Sequence, residues 1–472
     1  MYYEFHTEPY KHQIKTLKMA LKKGNLGVLA DPGCGKTKIA IDYIGCRYLR
    51  DGHKRILVLA PKSVLGVWEE EIETHLPPSI PRAVIRLEGT NRERLIKNHM
   101  NPDKLTIFLI SYDSAWRSKG SLIKWKPQGV IADESHYIAG ATSKRSRGAR
   151  AIREHADWAL ILTGTFLPNW PLNAYAQLNF LNPKIFPYSW TKFKNRYAVW
   201  IMAKGGYWRL KRYKRLHELK EIIRKYSVVI KKDKVLDLPK RQDIVVPIDM
   251  DPKTRKIYDQ IKKEKLVEFK QGKATAEIIL TELLRFQQLT SGFLSVETGR
   301  YDRRDRPIRE EVKIHEAKIK AALEIIDIHR AHGEKVVVFT RFRWELDQIA
   351  TALRKRKISC AVIDGRVNVK ERDEIRRDFQ KGKYDVAVVN MATGGVGINL
   401  TAANVAIFFS LSFKYDHYQQ AKDRIHRPGQ NKPVIYYHLI MRKSIDEKIM
   451  TALREKKSLA DKLTEQKPEE LV

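Results

Sequence analysis

Cysteine is almost missing. Three occur in 472 residues, at Cys34, Cys46 and Cys360, and no pair of them has a metal-ligand or redox spacing. A disulfide framework is therefore excluded, and a reducing compartment is expected. Long apolar runs are missing too: no stretch of about 18 apolar residues occurs, so no membrane-spanning helix is expected. The segment Met1-Tyr-Tyr-Glu-Phe-His6 carries an acid and no apolar core, which is not the pattern of a secretory signal. A cytoplasmic protein is the expectation. Acids are scarce beside bases, 55 Asp and Glu against 90 Lys and Arg, for a formal charge of +35. That excess points to a polyanionic partner. Nucleic acid fits better than acidic membrane, since no basic amphipathic anchor stands out. No short repeat or low-complexity tract is present.

What is present is enough for more than one core. Hydrophobic residues make up 43% of the 472, and a chain of that length divides into two or more domains. Short apolar runs end again and again in polar residues: 55–63, 105–112, 129–136 and 159–165, then a second series at 334–341, 360–365, 384–390, 405–410 and 434–440. Helical patterns lie between them. This alternation predicts an α/β fold, with parallel sheets carrying functional groups at the carboxyl ends of their strands.

The stretch Leu26 to Ile39 reads as a strand (Val28, Leu29, Ala30), a tight turn and a helix to about Tyr48. Gly33 and Gly35 let backbone N–H groups curl around an anion, and the helix turns its positive end to the same anion. Lys36 can reach β- and γ-phosphates, and Thr37 can hold Mg²⁺. Ala30 stands where the full pattern has its first glycine. Gly129-Val-Ile-Ala-Asp-Glu-Ser-His136 is an apolar strand ending in two carboxylates. After a phosphate loop, Asp133 suits Mg²⁺ held through water, and Glu134 suits the attacking water. Upstream, the Gln13 amide can pair with an adenine edge.

From Asn169 to about His315 the pattern turns mostly helical, aromatic and basic. Lys204 to Lys234 holds twelve Lys or Arg against three acids, interleaved with Tyr207, Trp208, Tyr213 and Tyr226. Such a mixture can meet phosphates and stack on sugars or bases, or it can be a solvated helix pair with its own aromatic core. Asp302 to Arg309, charged and containing proline, reads as a loop. Further on, Thr393-Gly-Gly-Val-Gly-Ile-Asn-Leu-Thr401 is a glycine-rich turn. In Gln419 to Gln430, Arg424 and Arg427 are three apart, which predicts one helix face suited to a triphosphate.

In order along the chain stand His12-Gln13, Asp31-Pro-Gly-Cys-Gly-Lys-Thr37, Ala60-Pro-Lys-Ser63 with Trp68, Ser111-Tyr112, Asp133-Glu-Ser-His136 and Leu162-Thr-Gly-Thr165 with Asn169. Then come Val338-Phe-Thr-Arg-Phe342, Asp364-Gly365, Gly394-Gly-Val-Gly-Ile-Asn-Leu-Thr401 and Gln420-Ala-Lys-Asp-Arg-Ile-His-Arg-Pro-Gly-Gln430. This set resembles the SWI/SNF-type double-stranded DNA translocases among the superfamily 2 helicase-like motors. The last motif carries the resemblance furthest. Ile230-Lys-Lys-Asp-Lys-Val235 with Asp237-Leu-Pro239 is similar to the family's bridge between lobes. Phe166 and Pro168, Lys231-Lys232 and Pro428 depart from the family pattern.

The resemblance implies two RecA-like lobes with helical insertions. Residues 1–168 would form the ATP-binding lobe, 169–235 a helical basic insertion, and 236–250 a linker. Residues 251–315 would form a second helical insertion, 316–452 the second lobe, and 453–472 a charged tail. It implies ATP with Mg²⁺ as cofactor. Gln13 would read adenine beside His12, and Asp31, Pro32, Gly33, Cys34, Gly35, Lys36, Thr37 and Gly397 would surround the nucleotide. Thr37 and Asp133 would hold the metal, Glu134 would drive hydrolysis, and Arg424 and Arg427 would act as arginine fingers. Lys62, Ser63, Ser111, Tyr112, Thr165, Arg341, Gly394 and Asn399 would track DNA, with Arg209, Lys211 and Arg212 adding affinity. The implied partner is double-stranded DNA, branched or forked DNA included, acted on by a monomer with no membrane. The alternatives are a strand-separating helicase and a basic DNA-binding scaffold with a weak motor. Cys34, inside the loop, is either a thiol that favours its thiolate and reacts with thiol reagents or a buried and inert small residue.

Overall fold

The computed structural model describes residues 3–187, 189–202, 208–270, 276–302, 305, 307–394 and 398–464. The chain divides into two units, each built on one parallel sheet.

In the first unit the strands are β1 (Leu26–Ala30), β2 (Arg55–Ala60), β3 (Arg82–Arg86), β4 (Leu105–Ser111), β5 (Gly129–Asp133) and β6 (Trp158–Thr163). A small two-stranded sheet follows, β7 (Ala198–Met202) with β8 (Trp208–Tyr213), and then β9 (Ser227–Ile230). The large sheet has the order β3-β4-β2-β5-β6-β1-β9, with every pairing parallel. Its central strands are apolar throughout because helices cover both faces. The strand period of two sends Leu57, Leu59, Phe108 and Ile110 into one core, and Ile56, Val58, Ile107 and Leu109 into the other.

The second unit has β10 (Arg241–Ile248), then a hairpin of β11 (Phe293–Tyr301) and β12 (Pro307–Lys313), then β13 (Val336–Thr340), β14 (Cys360–Ile363), β15 (Val386–Asn390), β16 (Val405–Phe408) and β17 (Val434–Met441). Its large sheet runs β10-β17-β16-β13-β15-β14, again wholly parallel. Both units are thus α/β with parallel large sheets, as the alternation of apolar runs and helical patterns predicts. Val337, Phe339, Val389 and Phe408 fill one face, while Val336, Val338, Val388 and Ile407 fill the other.

Three readings of the middle of the chain are corrected. Segment 169–235 is not only helical: it contains β7, β8 and β9, and β9 is a strand of the first large sheet, pairing Gly27 with Ser227 and Ala30 with Ile230. A four-residue run among charges carries too little pattern to be read as a core strand. Segment 236–250 is not merely a linker, because β10 pairs with β17 over Arg241 to Ile248. Its inner face is half-buried and its outer face exposed, and Pro247 is tolerated because an edge strand has only one neighbour. Segment 251–315 ends in the β11–β12 hairpin, so the predicted loop at 302–309 gives way to a strand from Pro307.

Candidate active site

The phosphate loop follows β1. Gly33 and Gly35 have φ of +89° and +73°, a region that side-chain-bearing residues avoid. Gly35 is constrained twice, since a Cβ there would stand 2.0 Å from Gln13 Nε2. Gln13 is 3% exposed. Its Oε1 accepts from the Tyr10 N–H at 2.8 Å, and its Nε2 faces the Cys34 carbonyl at 3.5 Å. His12 Nε2 meets the same carbonyl at 3.0 Å. Both residues therefore brace the loop.

Asp31 acts as a clasp on the loop. Its N–H donates to the Ile230 carbonyl at 2.9 Å, and its Oδ2 accepts from the Lys232 N–H at 3.1 Å. The carboxylate thus ties the loop to the end of β9. Pro32 packs against Gly164, where a Cβ would come 3.0 Å from Pro32 Cδ. Lys36 and Thr37 open the helix Lys36–Asp51, whose N-cap is Gly35. Lys36 Nζ donates to the Ala30 carbonyl at 2.8 Å. Cys34 is wholly buried in the core, so the reactive-thiol reading is corrected: the thiol is packed away from solvent.

Asp133 and Glu134 stand at the end of β5. Trp68, itself buried, donates its indole N–H to Asp133 Oδ2 at 2.9 Å, and Asp133 Oδ1 accepts from the Glu134 N–H at 2.9 Å. Burial first, and then the Glu134 charge, hold the Asp133 carboxyl above the usual carboxylate range. A bound cation would favour the ionised form. Glu134 has φ +48°, a left-handed backbone that costs about 1–3 kcal/mol for a non-glycine residue. Its Oε2 lies 3.2 Å from His136 Nδ1, which is 3.3 Å from Thr163 Oγ1.

The expected DNA-tracking residues separate by exposure. Lys62 is exposed and Ser63 half-buried. Ser111 is half-buried and caps the helix Tyr112–Arg117. Tyr112 and Thr165 are 3% and 7% exposed, which corrects their assignment as direct DNA contacts. The Tyr112 hydroxyl donates to the Asp133 carbonyl at 2.6 Å, and the Thr165 N–H donates to Thr163 Oγ1 at 3.0 Å. The first holds the end of β5, which carries the carboxylates, and the second holds the end of the neighbouring β6. Phe166, the departure beside them, packs in the core. On β8, Arg209, Lys211 and Arg212 are exposed while Leu210 packs against the core. Lys204 and Tyr207 lie outside the described residues.

In the second unit, Arg424 and Arg427 do not share a helix face. The helix Tyr415–Lys422 ends before them, and both sit in the turns that follow. Pro428 disfavours a helical conformation at Arg427, and Gly429 has φ +95°. Neighbours hold these turns in place. Gln430 donates to the carbonyls of Ala403 at 2.7 Å and of Thr401 and Ile425 at 3.1 Å, and His426 Nε2 meets the Pro239 carbonyl at 2.9 Å. Arg424 Nη1 donates to the Ile398 carbonyl at 3.3 Å. Asn399 Oδ1 accepts from the Thr401 N–H at 3.2 Å. Gly394 ends a short helix after β15, and Gly397 lies outside the described residues. Arg341 bonds Gln287 through its guanidinium, and burial lowers its pKa. Sequence reading did not single out Gln177 or the anchoring role of Gln430. Buried amides leave no motif beyond a polar residue in an apolar run.

Residues 12–291 match the family described as SNF2-related domain, and residues 317–429 match the helicase conserved C-terminal domain. The chain is 28% identical over 442 residues to an uncharacterized ATP-dependent helicase of Mycoplasma pneumoniae, covering 92% of this chain and 40% of that protein. It is 27% identical over 484 residues to the ATP-dependent helicase brm of Drosophila melanogaster, covering 96% of this chain and 29% of that protein. The chain thus spans well under half the length of these relatives. A solved structure described as the Sulfolobus solfataricus SWI2/SNF2 ATPase core in complex with dsDNA is 25% identical, with a TM-score of 0.45, covering 99% of this chain and 97% of that one.

Proposed function

The chain belongs to the SNF2-related domain family, and from that premise we propose that it hydrolyses ATP to move along double-stranded DNA. The observation that carries this reading is the grouping at one end of the first sheet. A glycine loop with positive φ at Gly33 and Gly35 opens a helix on Lys36 and Thr37, and two carboxylates, Asp133 and Glu134, end a strand of the same sheet. The loop offers backbone donors to phosphates, and Lys36 exchanges the Ala30 carbonyl for a phosphate oxygen. Among the described residues, no group of three His, Cys, Asp or Glu could hold a metal. The Thr37 hydroxyl and the Asp133 carboxylate instead suit Mg²⁺ completed by phosphates and water. That ion would offset phosphate charge. Glu134 orients the attacking water, and Arg424 and Arg427 meet the charge that develops on the transferred phosphoryl group.

The test is ATP turnover measured in parallel with no nucleic acid, single-stranded DNA, duplex DNA and RNA. Duplex DNA is expected to stimulate most and RNA least. Movement is expected to displace the third strand of a triplex with little unwinding of a blunt duplex. Strong unwinding of a tailed duplex without triplex displacement would assign the chain to the strand-separating helicases.

The exposed charges of β8 serve affinity. Replacing Arg209, Lys211 and Arg212 together by Ala is expected to raise the DNA concentration needed for half-maximal turnover. It is also expected to flatten the slope of log affinity against log salt by about 0.9 per lost phosphate contact. An unchanged slope would make these charges a solvated face.

A further inference from the structure

The helix Ala174–Leu181 is apolar and almost wholly buried, yet Gln177 stands within it at 0% exposure. A leucine there would fill similar space without an amide to satisfy. Burying an amide is unfavourable unless its hydrogen bonds are replaced. Gln177 replaces them across two loops. Its Oε1 accepts from the Ser135 hydroxyl at 2.7 Å, and its Nε2 donates to the Phe166 carbonyl at 2.6 Å and to the Asn173 carbonyl at 3.0 Å. Ser135 follows Glu134 directly, and Phe166 follows Thr165. One side chain therefore bolts the loop after β5 to the loop after β6.

The backbone of Glu134 gives that bolt a purpose. A glutamate at φ +48° keeps this conformation only where its surroundings impose it. Two ties do so. One is the Ser135–Gln177 bond. The other runs from Glu134 Oε2 through His136 to Thr163 Oγ1. We propose that Gln177 is a positioning residue for ATP hydrolysis: through Ser135 it holds the Glu134 carboxylate where the attacking water must be oriented. Gln177 is buried behind the loop and acts through Ser135. The inference rests on the ATPase reading above. A displacement of about 1 Å at a catalytic group can lower a rate by about 10²-fold, so a lost tie should be visible in turnover.

The experiment compares wild type with Gln177→Leu, Ser135→Ala and the double variant. It measures kcat and KM with saturating duplex DNA, the dissociation constant of a fluorescent ATP analogue, and the melting midpoint. Both single variants are expected to lose at least about tenfold in kcat, with KM and analogue affinity within about twofold. The double variant is expected to be no worse than the poorer single one, because one tie can be cut only once. A purely structural glutamine would lower the melting midpoint and leave kcat unchanged below it. That result overturns the proposal, as would losses that multiply in the double variant. If Gln177→Leu does not fold, Ser135→Ala decides alone, by a lower kcat at unchanged analogue affinity or by an unchanged kcat. If wild type itself fails to turn over ATP, the ATPase reading falls and this inference falls with it. Normal kcat in both variants with an active wild type overturns the inference alone.

Discussion

Lys36→Ala is expected to abolish ATP hydrolysis and to leave duplex DNA affinity within about twofold, because DNA affinity rests on counterion release at many basic side chains. The lysine is one of 90 basic side chains, and its ammonium is bonded inside the phosphate loop to the Ala30 carbonyl. Two effects compete in the variant. Losing the internal hydrogen bond removes about 1 kcal/mol, which a RecA-like lobe survives. Losing a unit charge about 4 Å from phosphate oxygens in a partly buried site removes about 4 kcal/mol at an effective dielectric of about 20, equivalent to about 10³-fold. The second effect wins by a wide margin and falls on the nucleotide alone. A purified variant with near-normal turnover and normal DNA binding would overturn the assignment of the loop.

Arg427→Ala is expected to cut turnover by about 10³-fold or more while ATP binding changes by only a few-fold, as for a guanidinium that acts mainly on the transition state. The surrounding turn should survive the change, since Gln430 and His426 secure it through backbone carbonyls that the variant keeps. Arg424→Ala should lose turnover as well, and it carries an added structural effect. Its guanidinium donates to the Ile398 carbonyl at 3.3 Å, a bond the variant loses. A melting scan detects that effect: Arg424→Ala should lower the midpoint. Weak ATP binding with normal saturated turnover in both would remove the finger role.

The sheet strands with long apolar runs were legible in the sequence because burial on both faces writes itself as an unbroken run, as in Leu105 to Ser111. Three of the four edge strands of the large sheets were not. β3, β9 and β10 are short, half-exposed or mixed with charge, and only a tertiary partner makes them strands. At the site, the glycines, Lys36 and the paired carboxylates were legible because phosphate chemistry restricts residue type and spacing together. The places of Asp31, Tyr112 and Thr165 were not, because their motif positions are shared by direct contacts and by the braces behind them. Only exposure and hydrogen-bond partners separate those two roles. The arginine pair was read as a helix face from its spacing of three, and Pro428 with Gly429 set a different local geometry.

The register of β1 has a consequence for how the chain is made. β1 carries the phosphate loop and pairs with β6 on one side and β9 on the other, so Gly27 waits for Ser227, two hundred residues later. During synthesis the loop's strand keeps one open edge until β9 emerges. An unpaired strand edge is a template for association between chains, and parallel pairings this distant in sequence form slowly. A fragment cut at residue 168, after the last strand of the first apolar series, would keep the phosphate loop and the paired carboxylates and lose the strand that closes the edge beside the loop. Such a fragment should be prone to aggregation, whereas one that runs past Lys232 also keeps the clasp on Asp31. The second sheet has the same delay, since β10 finds its partner only at β17.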